Sequence, residues 1–517
     1  VQSPPENSSV SDTSVRARTS LEQAPWVARE AGGTGSAQVA GAALRYLTVF
    51  FTTRILGAAA FGAYALTLTI VALTQLVSIL GLSPGVLPFV ARARRGGAAE
   101  IQGVVRAALR VVIGTSLVLG VAVFLLAPWM ADAVFDKPGL SRFLRPLSVL
   151  IVIGSVSTVV LALLQGFLAV KECAWVEKVL VVGVTLAGVA VTWWAGWGGI
   201  GVIAAAIAGP AVGLAAGLLL LGRRAPGALG RSPLTIPLPT VPLLAYSWPL
   251  WGSTMLTFGL LWMDMLLMGY FRESREVGVY GLCARLAPAV ALVPESLGPV
   301  FTAQLSRLFV ERDWDSIRRL YRFTTRWAIW PAHTIGWILV LWSEPILSVF
   351  GREFRAGATA LVLLAAAKAV SASGGHCGKV LAMTDRAGFN LFNTGVAVAV
   401  NLGLNLLWIP RFGGAGAAAA TCCCLLLSKT LQVIEVRIFY RMLPWDVRGL
   451  AGVAAPALVA AALFPFRDGL AGPWGWLLPL GVYVLAATAA YLALGIGEED
   501  RAVWRAMRRR IAARRPA

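Results

Sequence analysis

Five charged side chains fall inside stretches that are otherwise apolar: Arg45, Asp264, Arg285, Glu295 and Lys368. Away from water such groups do two kinds of chemistry. A guanidinium or ammonium replaces the hydration of an anion with charge-assisted hydrogen bonds. A carboxylate pairs with a cation or exchanges a proton. Facing lipid at the bilayer centre, each would cost roughly 2.5–3.5 kcal/mol or more, and the five together on the order of 10–20 kcal/mol. That is comparable with the stability of a whole domain, so they must face protein or a wet cavity. Two arrangements satisfy this: an internal ion-pair network that locks helices, with Asp264 and Arg285 the obvious pair, or contact with a substrate or coupling ion. Arg45, Arg285 and Lys368 outnumber Asp264 and Glu295, and a cationic surplus suits an anionic ligand. Lys429 lies near an inner helix end and is expected to snorkel to the interface.

Other motifs carry less chemistry. Gly196-Trp197-Gly198-Gly199-Ile200-Gly201 fits G-x-G-x-x-G, but it joins two hydrophobic segments and follows no strand, so tight turning and close helix packing explain it. Gly374-Gly375-His376-Cys377-Gly378-Lys379 is too short for a phosphate loop, and Val380 stands where Ser or Thr would be needed. The histidines, His333 and His376, lie on different spans, as packed interior residues or as proton relays. Six cysteines sit inside apolar segments without zinc-ligand spacing and read as small packing residues. No metal and no cofactor are expected.

The elements that position these residues are membrane spans. The chain has 517 residues, 58% hydrophobic and 14% charged, with mean hydropathy +0.74. A soluble protein of this length has too little interior for that much apolar surface. About fourteen segments reach spanning length, roughly 20 apolar residues each. A repeat runs through them. Trp197-Gly198-Gly199-Ile200-Gly201 recurs as Phe412-Gly413-Gly414-Ala415-Gly416, Phe61-Gly62-Ala63-Tyr64 as Val277-Gly278-Val279-Tyr280, and Leu168-Ala169 as Leu381-Ala382. Pro84 and Arg92 likewise match Pro299 and Arg307. The offset is nearly constant, as in a duplicated unit. The sequence therefore predicts an all-α polytopic membrane protein: two six-helix lobes related by a pseudo-two-fold along the membrane normal, plus two C-terminal helices. The divisions are a disordered cytoplasmic leader (1–33), an N-lobe (34–222), a cytoplasmic linker (223–242), a C-lobe (243–440), two further spans (441–494) and a basic cytoplasmic tail (495–517).

Net charge is +20. With the N-terminus inside, Lys and Arg favour the inner loops by about three to one, which follows the positive-inside rule and places both termini in the cytoplasm. The clearest inner clusters are Arg92-Arg94-Arg95, Arg318-Arg319-Arg322-Arg326 and Arg508-Arg509-Arg510, a match to anionic headgroups. Outer loops are too short for a catalytic domain, and no soluble stretch is long enough to bind a nucleotide. Pro288 and Pro294 interrupt the eighth span, and Pro84 and Pro299 read as paired elbows.

Arg54-Ile55-Leu56-Gly57, Phe61-Gly62-Ala63-Tyr64 and Leu80-Gly81-Leu82 resemble the opening of bacterial polysaccharide flippases, the Wzx-type members of the multidrug/oligosaccharidyl-lipid/polysaccharide exporter superfamily. Val277-Gly278-Val279-Tyr280 with Arg285, and Ile409-Pro410 leading to Gly413-Gly414-Ala415-Gly416-Ala417-Ala418, resemble the second half of the same family. The resemblance spans roughly 34–440. It implies twelve helices in two lobes, often with two more, and alternating access. It also implies an undecaprenyl-diphosphate-linked oligosaccharide as cargo for surface polysaccharide, moved without enzymatic chemistry in the bacterial plasma membrane. Arg45, Arg285 and Lys368 would be the cationic residues that meet the cargo, and Asp264 and Glu295 a cavity ion pair or coupling site. The implied partners are the lipid-linked oligosaccharide, membrane lipids, a coupling ion (H⁺ or Na⁺) and polysaccharide assembly proteins, with no nucleic acid. A cation-coupled multidrug antiporter of the same fold predicts an acidic surplus in the cavity. A membrane polymerase or ligase predicts a large outer loop with catalytic charges. A scaffold without transport activity is the third rival.

Overall fold

The computed structural model describes residues 9–226, 239–384, 386–445, 447–467 and 474–494, with side chains from residue 35 onward except those of 387, 447, 448 and 494. Among them every regular element is helical. The first half is α1 (Ser9–Ile79), α2 (Leu82–Gly96), α3 (Ala98–Trp129), α4 (Ser141–Leu147), α5 (Val149–Gly166), α6 (Val170–Trp175), α7 (Val181–Ala195) and α8 (Gly198–Arg224). The second is α9 (Thr240–Phe271), α10 (Ser274–Leu286), α11 (Leu292–Val310), α12 (Trp314–Leu341), α13 (Ser343–Phe350), α14 (Ala358–Ser373), α15 (Cys377–Met383) and α16 (Ala387–Tyr440), followed by α17 (Val447–Leu463) and α18 (Leu477–Leu494). The backbone is helical from Ser9 where the sequence predicts a disordered leader; Leu21-Glu22-Gln23-Ala24 are all good helix formers. The expected basic tail and most of the expected linker lie outside the described residues.

By length and composition, ten described helices can cross a membrane, or eleven if the bent pair Trp314–Leu341 and Ser343–Phe350 is one span. Two run far beyond one bilayer, Gly35–Gly96 with 62 residues and Gly388–Tyr440 with 53. Each turns sharply at a glycine. Gly57 has φ 69° and Gly413 φ 56°, a conformation that a Cβ would strain. A count of fourteen rests on splitting both helices there and adding the shorter apolar helix Leu477–Ala493. Gly198, the repeat-mate of Gly413, also has positive φ and opens α8. Beyond it Gly201 packs on Thr192, and Gly209 on Thr185, so the glycines serve tight turning and close packing of α7 on α8.

Charge and polarity finish the elements. Asp313 accepts the backbone N–H of Ser316 at 3.0 Å and caps α12. The Ser316 hydroxyl, together with that N–H, holds its carboxyl below the usual carboxylate range. The eighth span breaks where Pro288 and Pro294 predicted, with a 3₁₀ turn at Ala287–Ala291 between α10 and α11. Trp193, Trp194 and Trp197 are exposed at one end of α7, as interfacial indoles are.

The two halves meet where α1 and α2 pack against α9, α10 and α11. Toward the end expected outside, a methyl on Gly62 would fall on Ser274 and Gly278, and one on Gly278 on Ala58 and Gly62. Ala58 and Ser274 stand at the same offset as Gly62 and Gly278, so each half offers the same two positions to the other. This self-complementary contact is what a two-fold relation between copies produces. Toward the other end, Gly81 and Gly85 pack on Ser247, and Trp251 Nε1 donates to the carbonyl of Leu76 at 3.2 Å.

Candidate functional site

A cavity of about 200 Å³ lies between the halves of α1, α7 and the end of α10. Arg45, Thr48, Val49 and Thr52 supply one wall, at the i, i+3, i+4, i+7 spacing of a single helix face. Phe61, Tyr64 and Leu68 come from beyond the Gly57 break, and Val181, Val182 and Thr185 from α7. Arg285 enters from the other lobe. Its guanidinium lies 5.3 Å from the centre of the Phe61 ring, and Nη1 donates to the carbonyl of Gly281 at 3.1 Å. The sequence-predicted Arg45 and Arg285 thus meet in one pocket.

The suggested Asp264–Arg285 lock is not formed. The carboxylate of buried Asp264 accepts hydrogen bonds from the Tyr280 hydroxyl, from the N–H of Met265 at 2.8 Å and from the Thr421 hydroxyl at 3.4 Å. Tyr280 and Arg285 are five residues apart on α10, about 140° around the helix. One face of α10 therefore serves Asp264 inside the C-lobe while another carries Arg285 toward the N-lobe. Arg285 has no ion pair among the described residues.

Lys368 is half-buried on α14, and Glu295, Asp264 and Lys429 act on it electrostatically. Glu295 is exposed in the first turn of α11, and its charge also reaches Tyr46 and Lys379. It stands between the arginine pocket and a lysine cluster in the C-lobe. His333 bonds to Ser373 at 2.8 Å, the packed reading of that histidine.

Lys429 corrects the sequence reading. It does not snorkel; its ammonium turns inward and donates to the carbonyl of Gly375 at 3.2 Å and to Cys377 Sγ at 3.6 Å. The carbonyls freed by the break between α14 and α15 draw it in. Lys379 and the Asp264 partner Tyr280 were not singled out as site residues, nor was Glu435, which accepts from Asn393 at 2.6 Å. A signal was available. Thr421, Cys424, Ser428, Gln432 and Glu435 recur every three or four residues, a polar stripe along one face of α16.

Near the end expected outside, charges of one lobe cap helices of the other. Lys137 Nζ donates to the carbonyls of Gly269 at 2.5 Å and Phe135 at 2.9 Å. Arg54 Nε donates to Val349 O at 2.9 Å. Glu353 Oε1 accepts the N–H of Ala58 at 2.5 Å, and its Oε2 lies 4.0 Å from Arg275 Nε. Gly269 and Val349 are in the last turns of α9 and α13, where carbonyls lack helical partners; Ala58 starts the helix after Gly57. Cations thus sit at C-termini and the anion at an N-terminus, as the helix dipole favours. Burial pushes the Lys137 ammonium below the usual lysine range, against the pull of Asp136 and Glu273. Within the C-lobe, Glu276 caps Gly414 N at 2.9 Å in the same way.

Comparison with known proteins places this arrangement. A model of the "Polysaccharide biosynthesis protein" family matches residues 27–302, just over half of the chain. A Haloferax volcanii protein named a probable flippase, AglR, is 25% identical over 265 residues, 48% of this chain and 52% of its own. The chain thus spans about half the length of this curated relative. A structure of the lipid II flippase MurJ in an inward closed conformation aligns over 90% of this chain and 97% of its own, with TM-score 0.70 and 11% identity. An inward-facing multidrug resistance transporter of the MATE family, in the MOP superfamily, aligns over 77% and 94%, with TM-score 0.62 and 16% identity. These likenesses show a shared fold. The chain is a polytopic membrane protein, and it belongs to the polysaccharide biosynthesis protein family.

Proposed function

We propose that the protein is a flippase that moves a lipid-diphosphate-linked oligosaccharide across the membrane by alternating access. Arg285 carries the reading: a guanidinium inside the lobe junction, bonded to one carbonyl, stacked on Phe61, without a carboxylate, and sharing a pocket with Arg45. A cation so placed leaves donors unspent, and a diphosphate leaving water needs such donors. Tyr64 and Phe61 give the same pocket flat apolar faces beside the charges. The name of the Haloferax volcanii relative points the same way. In this reading the carrier is undecaprenyl diphosphate and the membrane a bacterial plasma membrane with both termini cytoplasmic.

Asp264 and Glu295 take the coupling roles, with H⁺ or Na⁺ as the ion. The closed seam at Gly62 and Gly278 is then the outer gate. No chemical step is assigned to any residue. The test is reconstitution: a fluorescent short-chain polyprenyl-diphosphate oligosaccharide in the inner leaflet of proteoliposomes should move to the outer leaflet faster with the protein than without it. Equal rates would reject the flippase reading. Movement of a cationic dye, but not of the glycolipid, would establish the antiporter instead.

A further inference from the structure

The break in the tenth predicted span, Gly374-Gly375-His376, is held open by side chains. Trp445 Nε1 donates to Ser373 O at 2.7 Å, Tyr321 to Gly374 O at 2.9 Å, and Lys429 to Gly375 O at 3.2 Å. Gly375 has φ 58°, and its α-carbon faces Thr325 so closely that a methyl would not fit. Three successive carbonyls freed by the break are therefore satisfied. What remains unsatisfied is a set of donors.

His376 is 8% exposed, its ring is 4.8 Å from that of Phe301, and its Nε2 has no hydrogen-bond partner. A buried ring nitrogen without a partner costs free energy unless something outside the protein supplies one. Lys379 and Lys429 are its charged neighbours. Lys379 lies against Gly298 of α11, where any larger residue would displace the ammonium. Lys368 adds a third ammonium; Glu295 acts on Lys368 and Lys379, and Asp264 also acts on Lys368. None of the three lysines has an ion pair among the described residues. Glu295 is exposed and Lys379 half-buried, so the cluster borders open space.

We propose that His376, Lys379 and Lys429, with Lys368 beside them, bind a phosphoryl group. The mutual repulsion of three ammoniums is relieved by an anion with several acceptor oxygens, and the Nε2–H tautomer of His376 would donate to one of them. Along the eighth span, Gly298 is thirteen residues beyond Arg285, about 20 Å at helical rise. The two sets of cations thus come from backbone positions well separated along this span. On the flippase reading, on which this assignment of cargo rests, the lysine cluster is the first station for the headgroup and the arginine pocket the second. The binding site itself would exist without that reading, for free phosphate.

The experiment is calorimetric titration of the purified full chain with inorganic diphosphate, and separately with farnesyl diphosphate in nanodiscs. In an Arg285→Gln background, which weakens the second site but leaves Arg45 in it, inorganic diphosphate should still bind. Adding Lys379→Gln should weaken that binding roughly tenfold or more, as loss of a charge-assisted contact does. Lys379 is chosen because Lys429 also holds the break; Lys379→Arg, which keeps the charge, should retain part of the affinity. Unchanged binding in the Lys379→Gln, Arg285→Gln chain, or no binding in Arg285→Gln alone, overturns the site. Competition by farnesyl diphosphate identifies the lipid headgroup as the ligand. Inorganic diphosphate binding that farnesyl diphosphate does not displace keeps the site, assigns it to a free anion and removes the station from the flippase reading.

Discussion

Gly62 and Gly278 hold equivalent positions in the two halves and lie against each other's backbone. Nothing larger than hydrogen fits at either place, so the closeness of the lobes at this end depends on both residues. If this seam is a gate, a single methyl should hold it ajar. Overpacking of such a contact costs about 1–3 kcal/mol, which shifts a two-state equilibrium roughly 5- to 150-fold. Gly278→Ala should therefore expose the cavity from outside. A cysteine placed at Leu68, on the cavity wall, would be treated with a membrane-impermeant thiol reagent. Its labelling should accelerate in Gly278→Ala over the same cysteine in an otherwise native chain, with background from the native cysteines subtracted. Unchanged labelling would show that the contact is structural packing and not a gate.

The capping charges around this seam should behave as a latch. Glu353→Gln keeps an acceptor for Ala58 N but loses the charge at the helix N-terminus, and Lys137→Gln loses the cation buried on the end of α9. Each change should weaken closure by about 0.5–2 kcal/mol, the worth of a cap or a dipole interaction. Because the two residues cap different helices, their effects on the labelling of Leu68→Cys should add. Strong non-additivity would mean that they act through one shared rearrangement.

Asp264 offers a different test, of coupling. Asp264→Asn keeps an oxygen for the Tyr280 hydroxyl and preserves size, but cannot carry a negative charge. Net uphill transport should then lose its dependence on an imposed H⁺ or Na⁺ gradient, while downhill movement of the glycolipid persists. If gradient dependence survives in the Asn variant, Asp264 is a structural acceptor for Tyr280 and Thr421 and has no coupling role.

The placement of elements was written in glycines and prolines: the breaks at Gly57, Gly413 and Pro288 stand where residue type demanded them. The interior charges too were visible, because a charge inside an apolar run has few places to go. Partners are not legible in the sequence. Opposite charge pairs Asp264 with Arg285, yet the face that α10 turns to Asp264 carries Tyr280, and a 3₁₀ turn just beyond Arg285 resets helical phase for everything that follows. Lys429 looked like an interfacial lysine because spacing alone does not reveal that the span beside it is broken and offers a carbonyl. Lys137 follows Asp136 in a short loop that reads as exposed, yet its ammonium bonds Gly269 of α9 from the other lobe.

On the proposed function, Arg285 meets the cargo. Arg285→Ala removes the half-buried guanidinium and should reduce glycolipid flipping by about two orders of magnitude, the effect of roughly 3 kcal/mol for a charge-assisted contact to an anion. Arg285→Lys should recover part of this, because lysine keeps the charge but loses the planar fork and the stacking on Phe61. Had Asp264 and Arg285 formed a lock, removing either would strand its partner, and the double change would restore abundance. They do not touch, so the structure makes the opposite prediction: Asp264→Ala and Arg285→Ala should combine additively, without rescue. Flipping in proteoliposomes, with reconstituted protein quantified in parallel, measures both. A stably reconstituted Arg285→Ala chain that flips at the native rate would remove this residue from the cargo site, and rescue in the double variant would restore the lock.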